Sequence, residues 1–152
     1  PRPQFPIILF FVAVLYSVAN MAYWDGRVRD MCKKDGGITV YEKVVLTQEE
    51  FDGYGGKMGG FPIPLDIVSS ASRYPYLKRV KEKTVRERNP QVMRREFVTY
   101  RQIGKKELGK TIIYSRSGGD FPRGISHPTG FSCADIPGFR LDAEKEIFSI
   151  KE

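Results

Sequence analysis

The feature that most constrains this chain is an apolar run, Phe5 to Trp24, that contains no charged residue. Its central part, Ile7 to Val14, is entirely apolar. A helix rises about 1.5 Å per residue, so roughly 20 such residues span a hydrocarbon core of about 30 Å. The run therefore predicts a transmembrane anchor in residues 1–24 and leaves residues 25–152 as a polar domain.

The same run has the parts of a secretory signal peptide. Arg2 provides a short basic end, and Ser17 and Ala19 are small residues of the kind found at a cleavage site. The apolar run is longer than a usual signal core, so we expect it to be retained as an anchor. Tyr23 and Trp24 then fall at the hydrocarbon edge, where aromatic side chains are enriched.

One side of the predicted helix has small or polar side chains. Ala13, Ser17 and Asn20 follow an i, i+4, i+7 course. Small side chains let helices approach closely in lipid, and an asparagine there needs a hydrogen-bond partner. We expect this stripe to pack against other membrane-protein subunits, with a chance cluster as the alternative. Larger apolar side chains and one alanine lie on the other side: Phe11, Leu15, Val18 and Ala22.

Two cysteines, Cys32 and Cys133, lie near opposite ends of the polar domain. In an exported protein they would form one disulfide, and closing a loop of roughly 100 residues stabilises by about 4–5 kcal/mol. In a cytosolic protein they would be two unrelated thiols. Basic residues after the run outnumber Arg2, which favours a cytoplasmic domain, but long domains translocate largely regardless of charge. The cysteine pair and the signal-like start lead us to expect an inner-membrane protein with a periplasmic domain.

The positive charge of the chain is concentrated in one segment. The whole chain has a net charge of +7, whereas residues 73–110 have 13 Lys and Arg against 4 Glu, a local net of +9. This basic ribbon predicts contact with anionic lipid or with an acidic protein surface. A nucleic-acid partner is not expected, because no nucleic-acid-binding signature is present; a merely solvated strand pair is the alternative. The expected contact residues are Lys78, Arg79, Lys81, Lys83, Arg86 and Arg88.

The polar domain predicts a small antiparallel sheet behind the helix, and therefore an α+β fold. Gly36-Gly37 should end the helix, and Thr47 should cap a short helical turn. Alternation predicts strands at Ile38–Leu46, Leu77–Arg88, Val92–Ile103 and Lys110–Ser117.

In the strand beginning at Val92, we expect Met93, Phe97 and Ile103 to face the core, with Val98 and Tyr100 opposite. The segment from Asp142 to Lys151 fits either a helix or a strand, because its periodicity does not decide between them.

The best catalytic candidates are Asp120, His127 and Cys133, because a thiolate beside an imidazole is a competent nucleophile. A disulfide would consume the sulfur, so we expect no enzymatic activity and keep a tethered thiol enzyme using Cys133 and His127 as an alternative. His127 is the only histidine, which excludes a metal or haem site built on several histidines. We expect no metal and no cofactor.

Two blocks of sequence resemble a group of short, uncharacterised bacterial envelope proteins. The first block is CKKDGGITVYEKV, from Cys32 to Val44, and the second joins SGGD at 117–120 to His127-Pro128 and Phe131-Ser132-Cys133. The resemblance implies that the two cysteine blocks belong together, and it implies no activity.

Type IV pilins also place a long apolar helix before a two-cysteine domain, but here no glutamate occurs within the apolar run. A pilin-like filament subunit is therefore kept as a further alternative. The features together predict a non-catalytic, membrane-anchored accessory subunit of a larger bacterial membrane complex.

Overall fold

The computed structural model describes residues 4–53, 74–119 and 129–151. A long helix precedes a five-stranded sheet and a two-stranded sheet, so the predicted α+β fold is confirmed. The helices and strands are α1 (Gln4–Asp35), β1 (Gly37–Val40), β2 (Val44–Leu46), α2 (Gln48–Gly53), β3 (Tyr76–Arg86), β4 (Gln91–Arg101), β5 (Glu107–Ser117), β6 (Gly130–Ser132), α3 (Ala143–Ile147) and β7 (Phe148–Ile150).

The described residues divide into two compact units, and three strands contribute residues to both. Unit 1 lies within Pro1–Gly36, Lys83–Arg94 and Ile113–Phe139. Unit 2 lies within Gly37–Glu82, Arg95–Ile112 and Arg140–Glu152. In the larger sheet the strand order is β1-β5-β4-β3, and β6 also pairs with β5.

Helix α1 runs without a break from the apolar segment into the polar domain. Its stretch Pro6–Asp35 is long and apolar enough to cross a membrane, which is consistent with single-pass anchoring. Ten large side chains on it are more than half exposed: Ile7, Ile8, Leu9, Phe10, Phe11, Val12, Leu15, Tyr16, Val18 and Tyr23. Further along, Val28 and Cys32 are buried. The same helix therefore has an apolar exposed half and a half that packs on protein.

The helix ends where two glycines follow Asp35, as the sequence predicts. The Gly36 amide donates to the Cys32 carbonyl oxygen at 2.9 Å, and a Cβ on Gly36 would lie only 2.7 Å from that oxygen. Gly37 has a φ of 107°, which side-chain-bearing residues rarely adopt. Both positions therefore require glycine for the chain to leave α1 and enter β1.

Unit 1 joins the second half of α1 to the end of β5 and to β6. β6 pairs antiparallel with β5, from Ser115 opposite Ser132 to Ser117 opposite Gly130. The disulfide between Cys32 and Cys133 links α1 to the 3₁₀ turn after β6, with 5.6 Å between the two Cα atoms. Both cysteines are buried, and the predicted pairing is confirmed.

Unit 2 contains an apolar cluster built on β2, β5, α3 and β7. β1 pairs antiparallel with β5, while β2 pairs in parallel with β7. Thr47 caps α2 as predicted, because its hydroxyl accepts from the Glu50 amide and its own amide donates to the Glu50 carboxylate at 2.8 Å. The buried members of the cluster are Val44, Leu46, Leu108, Ala143, Ile147 and Phe148.

The single strand predicted for Ile38–Leu46 is wrong, because the segment forms two strands with different partners. Its alternation is nevertheless right, since Val44 and Leu46 are buried and Val45 is exposed. The break follows from the backbone: the amides of Tyr41 and Glu42 both donate to one carbonyl oxygen, that of Leu108, at 2.8 and 3.0 Å. Two donors on one acceptor interrupt the regular ladder.

The inward face predicted for β4 is also wrong. Val98 and Tyr100 are buried, and Ile103 is 82% exposed, because β4 ends at Arg101 and Ile103 lies in a 3₁₀ turn. Tyr100 packs with Leu77, and Arg79 stacks over its ring at 5.0 Å. The segment left open at Asp142–Lys151 contains both elements, the short helix α3 followed by β7.

We expect the disulfide to be a major source of stability, because its two cysteines are 101 residues apart. Replacing both Cys32 and Cys133 with serine should lower the free energy of unfolding by about 4–5 kcal/mol. Pulse proteolysis in urea and mild detergent measures this. Dithiothreitol should reduce the stability of the parent chain equally and leave the double variant unchanged; a reductant effect on the variant would contradict the disulfide as its cause.

Candidate functional site

The first charged residue after the apolar run, Asp25, is paired with a buried arginine. The Arg116 side chain is 3% exposed, and its Nε atom donates to Asp25 Oδ1 at 2.5 Å. Its Nη1 atom donates to the carbonyl oxygens of Gly118 and Thr129. A buried guanidinium is costly unless it is paired and hydrogen-bonded, and here it is both. The pair joins α1 to the end of β5 at the point where the apolar run stops.

Sequence reasoning missed Arg116, although a signal for it was present. Ile112, Tyr114 and Arg116 occupy alternate positions of β5, and all three are buried. An arginine two residues beyond two inward-facing apolar positions must itself face inward, where it needs a carboxylate. Asp25, the first acidic residue beyond the apolar run, was the available partner.

A second polar cluster lies at the end of α1. The Tyr114 hydroxyl donates to Asp35 Oδ2 at 2.6 Å, and Arg94 Nε donates to the same oxygen at 3.3 Å. Burial raises the pKa of the Tyr114 phenol, and the hydrogen bond to the Asp35 carboxylate raises it further. The neutral phenol is therefore the form that stabilises this end of the helix against β5.

The β3–β4 hairpin, whose tip is residues 87–90, lies near α1 at the end of the apolar run, and Arg86 of β3 makes the contact. The Arg86 guanidinium lies over the Trp24 ring, 4.4 Å from its centroid, and its Nε donates to the Pro90 carbonyl oxygen at 3.0 Å. A Cβ built on Gly119 would lie 3.1 Å from Met21 Cγ and 3.3 Å from Pro90 Cβ. The tip therefore reaches the level of Met21 and Trp24 on the helix.

Most of the predicted anionic-contact residues already contact the protein itself. Lys78 and Lys81 form ion pairs with Glu144 and Glu96. Arg79 and Arg86 stack on aromatic rings. Lys83 and Arg88 are exposed and have no ion pair within the described residues. Contact of all six with an anionic surface stays a prediction.

The predicted helix stripe has two polar side chains, and within the described residues that of Ser17 is hydrogen-bonded and that of Asn20 is not. The Ser17 hydroxyl donates to the Ala13 carbonyl oxygen at 3.0 Å, within the same helix. The Asn20 amide makes no hydrogen bond to any residue in the described part of the chain, although it is half-buried. If the stripe packs on another helix, Asn20 rather than Ser17 is the residue that needs the partner.

The thiol proposed as a nucleophile is not free, because Cys133 forms the disulfide with Cys32 and is buried. Its two proposed partners, Asp120 and His127, lie outside the described residues. No group of three or more His, Cys, Asp or Glu residues that could hold a metal ion occurs within 4–53, 74–119 and 129–151. The Asp25–Arg116 pair, the Tyr114–Asp35 hydrogen bond and the disulfide all attach α1 to the rest of unit 1.

Removing the buried Arg116 charge should lower the free energy of unfolding far more than removing an exposed arginine charge. We expect Arg116→Met to cost about 3–5 kcal/mol, because it leaves the Asp25 carboxylate without its partner in a partly buried place. Arg95 pairs with Glu82 on the surface, with both side chains about half exposed. The matched control, Arg95→Met, should therefore cost at most about 1 kcal/mol. Urea unfolding in mild detergent compares them, and similar losses would show that the Arg116 pair is not special.

The Tyr114 contact predicts loss of stability in alkali. A raised folded-state pKa means that the contribution is fully present below the ordinary pKa of a tyrosine and is lost as pH rises through the folded value. Tyr114→Phe should lower stability at neutral pH by roughly 1.5–3 kcal/mol, the usual worth of a hydrogen bond to a charged group. It should also flatten the alkaline limb of the stability profile. Tyr41→Phe, at an exposed position, is the control and should leave that limb as steep as in the parent.

No protein-family model matches this chain, and comparison with curated proteins and with solved structures also returns no match.

Proposed function

We propose that this chain is a single-pass, non-catalytic accessory subunit of a larger bacterial membrane complex. The observation that supports the proposal is the unbroken passage of α1 from its exposed apolar half into unit 1. A flexible linker would let the polar domain move freely over the membrane. A continuous helix instead gives unit 1 one orientation on its anchor, which suits a subunit that presents defined surfaces to its neighbours.

The packed half of α1 is attached to unit 1 along one face. Asp25, Val28, Cys32 and Asp35 follow a spacing of three and four residues, which keeps them on one side of a helix. Asp25 contacts Arg116, Cys32 forms the disulfide, and Asp35 accepts from Tyr114. Three different kinds of interaction thus hold the same face, and rotation of the helix against the sheet would break all of them.

The predicted stripe lies on a neighbouring face of the same helix. At 100° per residue, the mean direction of Ala13, Ser17 and Asn20 differs from that of the attached face by about 70°. A partner helix packed on the stripe would therefore lie beside the attached face and not behind it. Such a partner would lie on nearly the same side of α1 as the strands of unit 1. Its own helix could then contact the stripe while its loops contact unit 1.

The disulfide supports a periplasmic position for the polar domain. Disulfides persist in oxidising compartments such as the bacterial periplasm and are rare in the cytosol. We therefore propose an inner-membrane anchor with the domain outside, and other membrane-protein subunits as the principal partners. The tethered thiol enzyme loses its nucleophile to the same disulfide, and no observation favours the filament subunit over the accessory subunit.

Co-purification in mild detergent tests the proposal. Replacing Ala13 and Asn20 together with leucine fills the stripe and removes the amide, so the chain should lose most of the subunits that co-purify with it. Ser17→Ala should have little effect, because the Ser17 hydroxyl is satisfied within its own helix. The measurement is the yield of partner subunits per anchored chain, by quantitative mass spectrometry.

The matched control introduces two leucines on the opposite side of the helix. Val18→Leu combined with Ala22→Leu should retain the partners, since these residues lie away from the stripe. Retention of all partners by the Ala13 and Asn20 variant would contradict a stripe-mediated interface. A parent chain that purifies without any other subunit would contradict the accessory-subunit proposal itself.

A further inference from the structure

The hairpin tip lies at the level where the membrane should end. An apolar run of about 20 residues uses up the thickness of a hydrocarbon core, so its last turn belongs at the boundary with the headgroups. Met21 and Trp24 form that last turn. Arg86 of β3 stacks on Trp24, and Gly119 lies next to both Met21 and Pro90 of the tip. With α1 spanning the membrane as in the proposed function, the tip would lie in the headgroup layer.

Arginines are concentrated at the same level. Arg27 lies three residues after Trp24 on α1, Arg86 stacks on Trp24, and Arg88 lies in the tip. Arg27 and Arg88 are exposed, and neither has an ion pair or hydrogen bond within the described residues. Of the lysines in β3, Lys78 and Lys81 are paired with carboxylates of the protein, whereas Lys83 is exposed and has no ion pair within the described residues. The unpaired arginines thus lie at the helix exit.

The Arg86 side chain already contacts other residues of the protein. It is held between the Trp24 ring and the Pro90 carbonyl oxygen, and it fixes the tip against the helix. Its role is to position the tip, while Arg88 and Arg27 have guanidinium groups available to a ligand.

We propose that Arg27 and Arg88 bind the phosphate groups of anionic phospholipids in the leaflet from which α1 emerges. Guanidinium groups bind phosphate oxygens through paired, charge-assisted hydrogen bonds. Lipid is the ligand that the geometry favours over an acidic protein, because phosphates occupy this layer all around an anchored helix. The site rests on the membrane anchoring in the proposed function and is independent of any partner subunit.

The single tryptophan of the chain gives a direct readout. Trp24 is the only tryptophan in the sequence and lies under Arg86, next to the proposed site. The full chain is reconstituted in vesicles of phosphatidylcholine and phosphatidylglycerol, with one of the two lipids brominated near the headgroup in each series. Quenching of Trp24 fluorescence in the two series then gives the preference of this site for the anionic lipid.

The parent chain should prefer phosphatidylglycerol at low salt, and the preference should fall as salt is raised. Each arginine removed should reduce it about fivefold, the equivalent of one basic residue at an anionic surface. The test uses Arg88→Gln, Arg27→Gln and the double variant. Arg88→Lys keeps the positive charge and should retain most of the preference for the anionic lipid. The matched control is Lys43→Gln with Lys151→Gln, which removes the same charge from exposed positions in unit 2.

Several results would overturn the lipid site. One is a parent chain that shows no preference for the anionic lipid, and another is a control variant that loses as much preference as Arg27→Gln with Arg88→Gln. A third is a double variant that keeps the lipid preference of the parent but loses a co-purifying subunit, which would assign the arginines to an acidic protein. Carbonate extraction separates this test from the anchor, because variants lacking the lipid site should stay in the membrane pellet whereas a failed anchor releases the parent chain too.

Discussion

The buried ion pair between Asp25 and Arg116 is the interaction on which the arrangement of unit 1 depends. Arg116 cannot be buried without a carboxylate, and Asp25 is the first charge that α1 offers beyond its apolar run. The pair therefore determines which turn of the helix meets the end of β5. The disulfide at Cys32, seven residues later, holds the same face about 10 Å further along. Two attachments that far apart prevent both sliding and rotation of the helix against the sheet.

The charge of the basic ribbon is smaller than its composition implies, because the fold brings carboxylates to it. Lys78 pairs with Glu144, Arg94 with Asp35, and both Arg101 and Lys106 with Glu42. All three of these carboxylates lie outside residues 73–110. The hydrogen bond from Lys106 and the nearby positive charges hold the pKa of Glu42 below its ordinary value, so Glu42 stays ionised through mild acid and its contribution is lost only as pH falls through that lowered value. Neutralisation within the fold leaves the exposed positive charge to fewer residues.

Local signals in the sequence were sufficient for most of the elements, and the presence of just two cysteines was sufficient for their pairing. The other contacts between distant segments could not be predicted. Gly36-Gly37 and Thr47 act on their immediate neighbours, so the end of α1 and the cap of α2 could be predicted. The inward face of β4 could not, because charged residues on both faces hide its period. The Arg116 contact required knowledge that β5 lies against α1, which no local pattern contains. The contact between Arg86 and Trp24 likewise depends on the path of the β3–β4 hairpin. The sequence alone placed Arg86 only within a basic segment.

A rigid attachment between anchor and sheet changes what a membrane contact can do. A helix that crosses a bilayer alone remains free to tilt, and a unit fixed to it would tilt with it. The hairpin tip lies near the Met21–Trp24 turn, to one side of the helix, so Arg88 there would act at a distance from the helix axis. Phosphate contacts at Arg27 and Arg88 would oppose tilting in one direction, while the aromatic side chains of Tyr23 and Trp24 would hold the depth of an anchored helix. A partner helix beside the attached face would then meet a unit of defined depth, rotation and tilt. Rigid attachment and headgroup contact thus act together, because a flexible linker would let the tip bind lipid without orienting anything.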